Sequence, residues 1–297
     1  MMHASLAVGF IGTGIMGLPM ARRIAGAGYR VAAWNRTREK GAPLVEAGVE
    51  VVGHASEATL GADVVICMVS SGPACDDILL GDDGILATMR AGSALVVMSS
   101  IPVETAQRHA EAAASRGIGY LDAPVSGGEK GAQDGTLAIM VGGDASVFER
   151  LRAVLQTMGR PTRIGPAGTG QLAKLVNQMM VASTIATVAE AMLLAERGGA
   201  DPAQVRAALL GGFADSAILR QHAARMIARD FVPGGPAKYQ IKDTKTALGF
   251  AQRLGLELPV LGLVDGLFAD MVEHGDGELD HSALILELRR RNGLPLS

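Results

Sequence analysis

Leu6-Ala-Val-Gly-Phe-Ile11 is a continuous apolar run that passes directly into Gly12-Thr-Gly-Ile-Met-Gly17, where a helical pattern begins. An apolar strand, a glycine turn and a helix in that order make a turn suited to a dinucleotide. Gly12 permits the tight bend, Gly14 lets the backbone approach a pyrophosphate and Gly17 lets the helix pack on the strand, with Ile15 and Met16 completing the turn. Free N–H groups at the helix start then face the phosphates. Spaced glycines alone are a weak signal in a chain with 39 glycines among 297 residues, so the strand before and the helix after carry the reading.

The same rhythm continues outward. Strand patterns at Leu6–Ile11, Arg30–Trp34, Val49–Val52, Val64–Val69, Ala94–Met98, Gly119–Leu121 and Leu137–Val141 alternate with alanine-rich helical stretches such as Met16–Ala27 and Val103–Ser115. Near-continuous apolar strands separated by helices predict a doubly wound parallel sheet covered on both faces. Beyond Gly165 only helical patterns follow: Leu172–Arg197, Pro202–Leu210, Ala217–Arg229, Ile241–Leu254, Pro259–His274 and Ser282–Arg291. The Gly/Pro cluster Arg163–Gly170 marks the join. The expected organisation is an α/β Rossmann domain over 1–165 and an all-helical domain over 166–297, joined by a long helix.

Composition excludes several classes. The glycines have no G-X-Y period, and 48% hydrophobic content is too high for a disordered chain. Lysine and arginine number 27 against 30 acidic residues, a net charge of −3, and aromatics are 3%. Neither nucleic acid nor an anionic membrane is indicated as a partner. Cys67 and Cys75 make no CxxC pair and read as buried thiols of a reducing compartment. His3, His54, His109, His222, His274 and His281 lack HxxxH or HExxH spacing, so no metal site is expected. No leader-like segment precedes the first strand, and the apolar run Met179–Ala195 contains Glu190 and is shorter than the ~20 residues of a membrane span. A cytoplasmic protein is expected.

Three further stretches carry chemistry. The second strand ends in Asn35-Arg36-Thr37, where an NAD-specific fold carries an acid for the ribose 2′-OH. A guanidinium suits a 2′-phosphate, so NADP(H) is favoured over NAD(H). The plainer alternative makes Arg36 a solvated turn residue and Thr37 a helix cap. Ser126-Gly127-Gly128 offers a hydroxyl and unhindered N–H groups that suit a small carboxylate; the alternative is a glycine-rich connection. Lys174 and Asn177 share one helix face, and apolar neighbours Leu172, Ala173, Leu175 and Val176 would lower the lysine's pKa for proton transfer.

Gly9–Gly17, Asp122–Gly128, Gly168–Asn177 and Lys242-Asp243, taken together and in this order, resemble the β-hydroxyacid dehydrogenases, the family of 3-hydroxyisobutyrate dehydrogenase and tartronate semialdehyde (2-hydroxy-3-oxopropionate) reductase. The resemblance spans essentially the whole chain. It implies an NAD(P)-dependent oxidoreductase that moves hydride between cofactor and a small 3-hydroxy acid or its 3-oxo partner. It makes Lys174 the catalytic lysine, Asn177 its polar partner, and Ser126, Gly127 and Gly128 the carboxylate loop. Ser100 falls near the nicotinamide, Met68, Val69 and Ser70 beneath the cofactor, and Lys242 facing the nucleotide. Similar proteins are homodimers or homotetramers. Glu129 after the glycine pair and Asn35-Arg36 look more like the tartronate semialdehyde reductases; the alternative is a 3-hydroxyisobutyrate dehydrogenase, or a dehydrogenase of another β-hydroxy acid or a β-hydroxy amino acid. A non-catalytic NADP(H)-binding module would be expected to lose Lys174 or Asn177, and both are present. Three departures fall in the later motifs: Gln178 where a second asparagine is common, no second phenylalanine after Pro-Gly in Phe231–Gln240, and Thr244 where Lys-Asp is usually followed by leucine.

Overall fold

The computed structural model describes residues 6–296, so His3 lies outside the described residues. The chain forms two compact units, Met1–Lys174 and Leu175–Ser297. The division falls later than the Gly165/Pro166 join read from the sequence. The cause is local: the first turns of the long helix are hydrogen-bonded to the sheet, through Asp122 and Gln171.

In the first unit, β1 (Ala7–Ile11), α1 (Gly17–Gly26), β2 (Arg30–Trp34), β3 (Glu50–Val51), β4 (Val64–Cys67), α2 (Gly72–Leu80), β5 (Ala94–Val97), α3 (Val103–Ala114) and β6 (Gly119–Asp122) follow in turn. Then come β7 (Val125–Ser126), α4 (Gly128–Asp134), β8 (Leu137–Gly143), α5 (Ala145–Gln156) and β9 (Gly159–Gly165). The sheet order begins β3-β2-β1-β4-β5-β6, and these pairings are parallel. Alternation along the strands makes two cores. Val8, Phe10, Val64, Ile66 and Val96 pack with Met20 and Ile24 of α1 and Leu151 of α5. Ile11, Val65, Cys67, Leu95 and Val97 pack on the other face with Leu79 of α2 and Ala106 of α3. The sheet is thus covered on both sides, as a doubly wound fold requires.

One edge departs from the wholly parallel sheet. β6 and β7 pair with β8 antiparallel, in one continuous register interrupted at Ala123 and Pro124. The connection from β7 to β8, residues 127–136, is shorter than the crossover a parallel pair needs. β9 then pairs with β8 in parallel. Its sequence, Gly-Arg-Pro-Thr-Arg-Ile-Gly, is mostly exposed; a polar strand carrying proline fits an edge and shows no apolar pattern.

The helix α6 (Thr169–Arg197) runs from the first unit into the second, followed by α7 (Pro202–Leu209), α8 (Ala217–Ala228), α9 (Ala237–Arg253), α10 (Pro259–Met271) and α11 (Leu284–Arg291). With 29 residues, α6 is long and apolar enough by length and composition to cross a membrane, which corrects the shorter Met179–Ala195 reading. Its Ala182, Ala186, Ala189 and Leu193 are buried in the second unit's own core, with Phe268, Met271 and Leu284. Ser216 starts α8 by accepting from the Leu219 N–H at 2.9 Å. Among the described residues of this unit, the Pro236–Asp280 bridge is the one β-type contact.

Candidate active site

The chain reverses direction across the sheet between β1 and β4, and loops leaving such a switch point leave a crevice. Gly12 opens it, with φ of +97° and a position where a Cβ would stand 2.2 Å from the Met68 carbonyl oxygen. At Gly17 an added Cβ would stand 1.9 Å from the Gly12 carbonyl oxygen. Both glycines are therefore demanded by the protein itself. Gly14 differs, because a Cβ there would meet nothing within 4 Å; its smallness leaves open space over the turn. Thr13 is buried and its Oγ1 has no hydrogen-bond partner.

A cleft of about 400 Å³ lies beside this turn. It brings together Gly12, Gly14, Asn35, Arg36, Thr37, Met68, Val69 and Ser70, all named from the sequence. Asn35 is a brace for the turn: its Oδ1 accepts from the Thr13 N–H at 3.0 Å and its Nδ2 donates to the Thr37 carbonyl at 2.8 Å. Thr37 precedes a short helical segment, yet its side chain makes no cap hydrogen bond. Arg36 is exposed at the rim and is joined there by Lys40, also exposed. Sequence reasoning missed Lys40; its spacing from Arg36, one turn along the segment that follows β2, was the available signal. Ile15 and Met16 belong to the turn but do not line the cleft, and Ile15 points out at 73% exposure.

Farther along the sheet, Ser126 and Gly127 leave β7, and Gly128 begins α4; Gly127 and Gly128 both have positive φ. Ser126 is half-buried and the two glycines are exposed, leaving their backbone accessible. Asp122, at the end of β6, is fully buried. Its Oδ1 accepts from the Gly168 N–H at 2.7 Å and its Oδ2 from the Gln171 N–H at 2.8 Å. Burial pushes this carboxyl above the usual carboxylate range, opposed by those backbone donors. The carboxylate satisfies N–H groups that open α6, as a side-chain cap would. Lys174 is half-buried on this helix; Leu175 beside it is buried, whereas Val176 is exposed. Ser100 is half-buried in the loop after β5.

In the second unit, Asn177 joins a polar chain. Its Nδ2 donates to Gln178 Oε1 at 2.8 Å, and Gln178 Nε2 donates to Asp243 Oδ2 at 2.6 Å. Lys242 Nζ stands 3.3 Å from Asp243 Oδ1. The glutamine thus has a job of its own, reaching a carboxylate on α9. Thr244 is buried and donates to Asp265 Oδ1 of α10 at 2.6 Å, where leucine would pack by contact alone.

Sequence spacing also missed a group formed by His222, Asp280 and His281, whose donor atoms lie within 4.8 Å of one another. The two histidine Nε2 atoms are 2.8 Å apart. Both Asp280 oxygens are already taken: one accepts from the Ser282 N–H and hydroxyl, the other from the Gly234 and Gly235 N–H groups. Asp280 therefore serves as a staple for the glycine loop before α9. Cys67 and Cys75 are free and buried, and the hydrogen bond that the Cys67 thiol donates to Cys75, together with burial, pushes that thiol well up.

A dinucleotide cleft at the switch point of this sheet, followed by a helical unit, defines an NAD(P)-dependent oxidoreductase. Residues 7–180 match the family profile described as the NAD binding domain of 6-phosphogluconate dehydrogenase. Residues 168–288 match the one described as NAD-binding of NADP-dependent 3-hydroxyisobutyrate dehydrogenase. The 2-hydroxy-3-oxopropionate reductase of Escherichia coli (strain K12) is 43% identical over 283 residues, covering 95% of this chain and 96% of that protein. The 3-hydroxyisobutyrate dehydrogenase of Pseudomonas aeruginosa is 36% identical over 295 residues, with 93% and 95% covered. A solved structure of Mycobacterium tuberculosis 3-hydroxyisobutyrate dehydrogenase, described with L-serine, superimposes with a TM-score of 0.87 at 32% identity, covering 96% of this chain and 99% of that one. The chain belongs to the β-hydroxyacid dehydrogenase family.

Proposed function

We propose that this chain is an NADP(H)-dependent reductase of a small 3-oxo acid, with 2-hydroxy-3-oxopropionate (tartronate semialdehyde) as the favoured substrate and glycerate as its product. The observation that carries the cofactor choice is the pair of cations, Arg36 and Lys40, at the rim of a cleft where Asn35, not an acid, follows β2. Two cations suit a 2′-phosphate, and an acid would repel it. The space over Gly14 fits a dinucleotide resting on this turn. The profile matched by residues 168–288 is described for an NADP-dependent enzyme, which agrees with this choice.

When bound, the nicotinamide supplies hydride. The protein's part is to hold the substrate and move a proton. Ser126 and the N–H groups of Gly127 and Gly128 would hold the carboxylate, with Asn177 orienting the chain beside it. Lys174 would donate a proton to the carbonyl oxygen during reduction, and in its neutral form remove the hydroxyl proton in the reverse direction. The substrate preference rests on the 43% identity to the E. coli reductase over nearly all of both chains. A second reading, oxidation of 3-hydroxyisobutyrate or of a β-hydroxy amino acid, is favoured by the likeness to the enzyme described with L-serine.

The test is an NADPH-oxidation screen over small aldehydes and keto acids, with NADH run alongside. Tartronate semialdehyde should give the highest kcat/KM, and NADPH should outperform NADH. A higher kcat/KM for methylmalonate semialdehyde would move the chain to the second reading, and equal use of NADH would remove the role given to Arg36 and Lys40.

A further inference from the structure

Gln171 lies one helical turn before Lys174 on α6 and is 1% exposed. Its side-chain amide meets one loop twice. Oε1 accepts from the Ile101 N–H at 3.1 Å, and Nε2 donates to the Ser99 carbonyl at 2.9 Å. The amide therefore brackets Ser100 much as a neighbouring strand would. Ser99 extends the chain of bonds, because its Oγ accepts from the Val69 N–H at 2.8 Å. The main chain of Gln171 is fixed from the other side, by Asp122 Oδ2. A buried run of hydrogen bonds thus links Val69 on the cleft, the loop that carries Ser100, and the helix that carries Lys174.

The bracket needs one donor and one acceptor in a single plane, which an amide provides and an ionised carboxylate or a thioether does not. A buried amide is costly unless both ends are satisfied. Here both ends are satisfied, on two residues that flank the loop after β5. The bond pattern leaves little freedom for the helix turn to slide along that loop.

We infer that Gln171 is a positioning residue, setting the distance between the proton donor Lys174 and the cofactor loops at 68–70 and 99–101. The inference rests on the reading of Lys174 as the proton donor. Gln171 touches neither substrate nor proton in this scheme. Its effect is on alignment, where an error of about 1 Å costs about 10²-fold in rate.

Gln171→Met keeps the length and removes both bonds. Its kcat should fall by about 10²-fold while KM and the Kd for NADPH stay nearly unchanged. Gln171→Glu supplies a reading internal to one variant. Burial raises the pKa of the new carboxyl, as does the like charge of Asp122 on β6, with Lys174 one turn onward opposing. Below that raised pKa the protonated acid donates to the Ser99 carbonyl and restores the bracket; above it the ionised form offers acceptors only. The ratio of variant to wild-type kcat should therefore climb as pH falls from about 8 to about 5.5. A flat ratio, or a normal kcat in Gln171→Met, overturns the inference. If Lys174→Ala loses turnover while Gln171→Met does not, only this inference fails. If Lys174→Ala keeps normal turnover, the reading of Lys174 fails and takes this one with it.

Discussion

The ties around the candidate site in the first unit and the ion pairs of the second differ in what they hold. In the first, the ties around the candidate site are short and pin loops to the sheet: Asn35 to the glycine turn, Ser99 to Val69, Gln171 to residues 99 and 101. The buried carboxylate there, Asp122, is answered by backbone N–H groups. In the second, charged side chains join helices to segments distant in the chain. Arg289 forks onto Glu196 at 2.8 and 2.9 Å, Glu287 meets His274 at 2.8 Å, and Arg225 stands 3.3 Å from Asp280. Backbone ties fix a loop in one place, as a bound dinucleotide and a proton donor require. Ion pairs of the second kind secure packing.

The largest effect expected from breaking this division falls in the first unit. Lys174→Ala should lower turnover by about 10²–10⁴-fold, the usual cost of losing a positioned proton donor, with NADPH binding nearly intact; single-turnover kinetics with a fluorescence titration measures both. Next come Arg36→Ala and Lys40→Ala. Under the proposed role each substitution removes a charge-assisted bond worth about 1.5–3 kcal/mol, so NADPH affinity should drop by about 10–100-fold while NADH affinity holds. Equal losses for the two cofactors would remove these residues from the 2′-phosphate.

Changes to the ion pairs of the second unit should act on stability instead. Asp280→Asn keeps the size and removes the charge that answers Arg225 and the Gly234–Gly235 loop. It should lower the unfolding free energy by about 1–3 kcal/mol in denaturant melts without altering NADPH affinity. Stability in this unit should also depend on pH. Burial and the neighbouring His222 hold His281 at a pKa of about 4, below its usual 6.5. A depressed pKa means that stability is complete above the unfolded value and is lost as pH falls toward 4. The melting temperature should decline through that window, and less steeply in His281→Gln. A parallel decline in both proteins would show that His281 is not its source.

Much of this arrangement was legible in the chain itself. β1, the glycine turn and α1 are contiguous, and each apolar strand of the parallel core announces itself by burial on both faces. β9 was not legible, because an edge strand of arginine, threonine and proline carries no apolar signal. Nor was the role of Asp122 or Gln171. Their partners lie 46 to 72 positions away in sequence, so only the folded sheet reveals them. The His222–His281 pair, 59 positions apart, escaped local spacing rules for the same reason. Trp34, directly before Asn35, and Lys40, one turn beyond Arg36, were missed cleft residues within easy reach.

Hydride transfer to the semialdehyde is the claim on which the rest depends, and it can be followed directly. The enzyme is given 2-hydroxy-3-oxopropionate with NADPH deuterated at C4 of the dihydronicotinamide, on each face in turn, and the glycerate formed is read by mass spectrometry. One face should deliver a single deuterium to the carbon bearing the new hydroxyl, and the other face none. Glycerate without deuterium from either face, or no glycerate at all, would contradict the assignment.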